Sequence, residues 1–117
     1  MENFILSEAQ TWALGVTLAF MLLDIVSGLM KAVKGGTMSS TIMREGLYHK
    51  ATYILILAMV YVVEIGSAHV DLGFEVPLLL PVCLYIIGME GRSIYENAKE
   101  LNPELDGLPL DSLKKND

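Results

Sequence analysis

From about Thr11 to Val33 the sequence TWALGVTLAFMLLDIVSGLMKAV is apolar except at Asp24 and Lys31. With a rise of about 1.5 Å per residue, a helix of this length crosses a hydrocarbon core of about 30 Å. No charged face runs along it, as a helix on a soluble core would require. A second block, about 47–69, is apolar from Ala51 to Val63 (ATYILILAMVYVV) and then meets Glu64. These two blocks constrain the fold more than any other feature. They call for transmembrane helices.

A third block, about 74–91, is shorter. Only VPLLLPVCLYIIGM separates Glu75 from Glu90, about 21 Å of helix, so both carboxylates are expected near the membrane interface. Pro77 suits the first helical turn, where a missing N–H costs nothing, while Pro81 is expected to kink the span. A re-entrant segment is the rival reading. Beyond it, EGRSIYENAKEL continues as an amphipathic helix with Ile94, Ala98 and Leu101 on one stripe, and Pro103 stops it.

Composition agrees. Of 117 residues, 53% are hydrophobic and 19% charged, and the formal charge is −6. An acidic chain lacks the basic surface that nucleic acid binding needs. The lone Cys83 excludes an intramolecular disulfide framework and a cysteine-built metal cage. The flank before the first block carries Glu2 and Glu8 and no basic residue, unlike a signal peptide.

Charge placement predicts orientation. The stretch 31–50 holds Lys31, Lys34, Arg44 and Lys50 against Glu45, a local +3. Residues 1–10 and 64–75 contain no Lys or Arg, and the tail contains Arg92, Lys99, Lys114 and Lys115. Because Lys and Arg stay cytoplasmic, three spans with the N-terminus outside and the C-terminus inside satisfy every segment. The expected fold is therefore all-α: an integral membrane domain over 1–102 with spans at about 11–33, 47–69 and 74–91. Its C-terminal amphipathic helical extension precedes a polar, mobile tail over 103–117. Gly35 and Gly36 should end the first helix, and Ser39, Ser40 or Thr41 should cap a short helix running into Gly46.

Ionisable residues inside a span are functional suspects. Asp24, Ser27, Gly28 and Lys31 follow the spacing i, i+3, i+4, i+7, and Ala9, Ala13 and Thr17 extend the same face. Such a stripe permits close helix approach and hydrogen bonds across an interface. Three helices offer little protein to enclose it, so self-association is expected. Two readings are open: structural pairing, with Lys31 snorkelling, or the lining of a water-filled opening. Glu64, Glu75, Glu90 and Arg92 are candidate interfacial residues. His49 and His69 flank the second span and cannot share a metal, Cys83 is flanked by apolar residues, and Ser39 and Ser40 lack a supporting His. No catalytic, cofactor or metal site is expected.

The set Asp24, Ser27, Gly28, Lys31, Ala32, Ser39, Ser40, Arg44, Glu45, Gly46 and Lys50, followed by Glu90 and the run from Ser93 to Asn97, resembles a bacteriophage holin family. This is holin family 4, which includes holin-like proteins associated with clostridial toxin secretion. The similarity covers roughly residues 15–102. It implies a phage-encoded protein of the bacterial inner membrane that accumulates and then assembles into lesions releasing a cell-wall-degrading endolysin. The implied partners are the bilayer, further copies of the chain, and an endolysin that need not be touched; no cofactor is implied. Many holins begin with two closely spaced Met residues and basic charge, whereas Met1 here is followed by Glu2. An accessory subunit of a membrane complex, or a small ion channel using Asp24 and Glu64, is the alternative.

Overall fold

The computed structural model describes residues 6–107, and these are all-helical, without strands. Helix α1 spans Glu8–Gly35, α2 Ser40–Ser67 and α3 Leu79–Leu101, and a 3-10 turn follows at Pro103–Gly107. Helices α1 and α2 are each long and apolar enough to cross a membrane.

The helix ends follow from local chemistry. Ser7 Oγ accepts from Gln10 N at 3.1 Å, and Gln10 Oε1 accepts from Ser7 N at 3.0 Å, closing a capping box. At the other end Gly36 adopts φ 65°, and its N–H donates to Val33 O while Thr37 N donates to Ala32 O. That left-handed turn favours glycine because a Cβ would meet the backbone. Ser39 Oγ caps α2 through Ile42 N. Instead of a short helix stopping at Gly46, α2 then runs unbroken for 28 residues. One glycine costs a helix only about 1 kcal/mol, too little to end it between good helix formers.

Pro81 does not kink α3. The helix begins at Leu79, so Pro81 lies in its first turn, where the absent N–H had no intrahelical partner to lose. Pro77 lies outside the helix. The third apolar block and the amphipathic extension form one continuous helix.

Cross-helix contacts fix the directions. Phe20 meets Gly91, Asp24 meets Ser93, Gly28 meets Asn97 and Lys31 meets Glu100, so α1 and α3 run parallel. Lys50 reaches Asp24 while Glu64 reaches Gln10, so α2 runs antiparallel to both. A small apolar core of Met21, Leu57, Val60, Leu79, Cys83 and Ile86 lies between the helices. The other faces expose Trp12, Leu22, Leu55, Val62 and Leu84, which water would penalise and lipid would not.

Tyr95 Oη donates to Leu105 O at 3.1 Å, and Lys99 reaches Asp106 at 3.5 Å, folding the 3-10 turn back onto α3. Residues 108–117, most of the expected tail, lie outside the described residues.

Candidate functional site

The stripe on α1 faces α3. Thr17 is fully buried and its hydroxyl donates to Ala13 O within the helix. One turn on, Gly91 of α3 meets the Phe20 ring: a Cβ at Gly91 would stand 3.1 Å from Phe20 Cε2. This close approach brings the polar groups of the two helices together.

Asp24 is at the centre. Its Oδ1 accepts from Ser93 Oγ at 2.7 Å and from Asn97 Nδ2 at 3.2 Å, and its Oδ2 accepts from Lys50 Nζ at 2.8 Å. Asn97 Nδ2 also donates to Ser27 Oγ at 3.0 Å, and Ser27 donates to Asp24 O at 3.1 Å. Lys50 bridges onward to Glu90, with Nζ 2.9 Å from Oε2 and 3.3 Å from Oε1. The side chains of Asp24, Lys50 and Glu90 are 12%, 13% and 5% exposed, so one chain encloses all three without a second copy. Of the stripe for which self-association was expected, Asp24 is enclosed within one chain while Lys31 stays exposed. Helix α3 lies against α1 over most of its length, and Lys50 covers the open side.

A cleft of about 560 Å³ leads down to this cluster between the end of α1 and the start of α2. Ile25, Leu29, Ile42, Met43 and Leu47 contribute apolar wall, while Asp24, Lys50, Ser93 and Asn97 supply the polar floor.

A second junction forms at the opposite end. Glu64 Oε1 accepts from Leu78 N at 3.0 Å and Leu79 N at 2.9 Å, capping α3 from another helix. Its Oε2 accepts from Gln10 Nε2 at 2.6 Å. The Gln10 amide thus serves the cap of α1 with its oxygen and Glu64 with its nitrogen.

Of the residues singled out by sequence, Asp24, Ser27 and Gly28 come together at the α1–α3 contact. Lys31 does not join them. It pairs with Glu100 at 3.3 Å, with both side chains largely exposed, and Lys34 donates to the last-turn carbonyl of Leu101 at 3.2 Å. Glu90, placed near an interface by sequence, is buried against Lys50; Arg92, two residues further along α3, is half-buried, and Glu75 is exposed in the α2–α3 loop. Sequence reasoning missed Lys50, Ser93, Asn97 and Gln10 as site residues. A signal for two of them was present: Glu90, Ser93 and Asn97 repeat the i, i+3, i+7 spacing of Asp24, Ser27 and Lys31. Among the described residues no group of His, Cys, Asp and Glu is placed to hold a metal ion.

No curated protein and no solved structure matches the chain. The family comparison does, over residues 4–109, a range that takes in all three helices and every member of the Asp24 cluster. The chain belongs to the bacteriophage holin family.

Proposed function

We propose that this chain is a holin that oligomerises in the cytoplasmic membrane of a bacterial host and opens lesions through which an endolysin reaches the cell wall. Family membership over residues 4–109 carries the reading. It acts without catalysis. Its partners are the bilayer and further copies of itself, and the endolysin passes without being bound.

The chain crosses three times with its N-terminus outside and its C-terminus inside. Support comes from the parallel course of α1 and α3, which carries Leu79–Met89 alongside the first helix, and from the Lys and Arg of 31–50 and of the tail. A lesion needs a hydrated wall, and the apolar outer faces cannot supply one. The polar surface available is the one closed between α1 and α3, with Asp24, Ser27, Glu90, Ser93 and Asn97, and covered by Lys50 of α2. In this reading the single chain is the closed form, and assembly separates α1 from α3 so that these groups meet water instead of each other.

Purified protein reconstituted in lipid vesicles tests the proposal. A holin releases a trapped protein of endolysin size above a threshold protein-to-lipid ratio. Release of ions alone would favour a channel, and release of nothing an accessory subunit. Either outcome overturns the lesion reading.

A further inference from the structure

The Asp24 cluster holds two carboxylates and one ammonium, so with every group ionised it carries an excess negative charge. Burying such a charge without compensation is costly, more so beside lipid. The donors around it are unequally shared. Asp24 accepts from Lys50, Ser93 and Asn97, whereas Glu90, 4% exposed, accepts from Lys50 at Oε1. Glu90 Oε2 is buried and accepts no hydrogen bond among the described residues: Lys50 Nζ is 2.9 Å away but outside hydrogen-bonding geometry.

Two side chains of like charge also share one cation. The Glu90 and Asp24 carboxyls close on the same ammonium, with Lys50 Nζ 2.8 Å from Asp24 Oδ2 and 2.9 Å from Glu90 Oε2. Each carboxylate oxygen has room for about two donors, and Asp24 Oδ2 receives one, from Lys50. A hydroxyl on Glu90 would fill the remaining place.

We propose that Glu90 and Asp24 form a proton-binding site, in which Glu90 carries one proton at neutral pH and shares it with the Asp24 carboxylate. The proton comes from water reaching the floor of the cleft: one water O–H bond breaks as the O–H bond on Glu90 forms, the hydroxide leaves to bulk solvent, and the cluster becomes neutral. The groups acting on Glu90 are Asp24 from α1 and Lys50 and Tyr53 from α2, and the charged residue next along α3 is Arg92. Among the groups acting on Glu90, Lys50 is the cation, and its one ammonium is set against two carboxylates. Proton loss sets two anions side by side across the α1–α3 contact and weakens it. This bears on regulation of the site proposed above for lesion opening.

Infrared spectroscopy of the full chain in lipid vesicles at neutral pH tests it. A protonated carboxyl gives a C=O stretching band well separated from carboxylate bands. The wild type should show one such band, lost in Glu90→Gln and retained in Glu96→Gln, which removes a carboxyl outside the cluster. Asp24→Asn provides a second arm: with one carboxylate left beside Lys50, Glu90 ionises and the band disappears there too. Absence of the band in the wild type, or its survival in both cluster variants, overturns the proposal. The spectrum does not depend on marker release. A chain with the band that opens no lesion keeps the proton site and loses the holin reading, and the reverse result separates them equally.

Discussion

Lys50 Nζ stands 2.8 Å from Asp24 Oδ2, and this ion pair ties the second helix to the first where few other contacts join them. Both side chains are nearly sealed from solvent, and Glu90 on α3 completes a bridge through all three helices. Removing one partner of a buried pair leaves the other charge unsolvated, which is more costly than the pair itself is stabilising. Lys50→Met should therefore lower stability by about 3–5 kcal/mol. Denaturant titration of the detergent-solubilised protein measures it, and wild-type resistance would show that the cluster does not hold the helices together.

Lys31 presents the contrast. Its pair with Glu100 is exposed, and such pairs contribute about 0–1 kcal/mol. Lys31→Ala should leave the same titration nearly unchanged. A loss as large as that of Lys50→Met would mean that Lys31 is buried by something other than this chain.

Glu64 caps α3 across the helix boundary, so its loss should be felt at the N–H groups of Leu78 and Leu79. Glu64→Leu should cost about 1–3 kcal/mol and speed hydrogen exchange at those two amides, whereas Glu64→Gln keeps a carbonyl acceptor and most of their protection. Equal exchange in the wild type and the leucine variant would remove Glu64 from the cap.

At the α1–α3 contact the Phe20 ring fills the space where a Gly91 side chain would stand. Gly91→Leu should destabilise by about 1–3 kcal/mol through overpacking, and Phe20→Ala should relieve part of that loss. Independent, additive effects of the two substitutions would show that these helices do not approach here.

In the proposed role, the Asp24 cluster is the polar surface that an open lesion exposes. Asp24→Leu should shift or abolish lysis when the chain is expressed together with an endolysin, as followed by culture turbidity. Unchanged timing would remove Asp24 from the mechanism while leaving family membership untouched.

Much of this architecture was readable along the chain because its causes are local. The length and apolarity of the first two blocks give two helices long enough to cross a membrane, Gly36 supplies the left-handed turn that ends α1, and Ser39 supplies the cap of α2. The spacing of Asp24, Ser27 and Gly28 put them on one face. Periodicity identifies a face but not its partner. Lys50 looked like one more basic residue of a cytoplasmic loop because Gly46 suggested a helix end that α2 runs through, and Pro81 looked like a kink because no capping side chain of its own marks the start of α3.

Sequence alone therefore determined an all-helical, lipid-compatible chain with a polar stripe, since helix formation and hydrophobicity depend on neighbours a few residues apart. Only the tertiary structure decided that Asp24 pairs with Lys50 and not Lys31, that Glu90 is buried, and that Glu64 caps another helix. Those pairings join residues 26, 40 and 14 positions apart, and they exist because α2 runs antiparallel to α1 and α3 and brings Lys50 against both at one end and Glu64 to the start of α3 at the other. A buried charge takes the partner that packing brings within about 3 Å, whatever the distance between them along the chain.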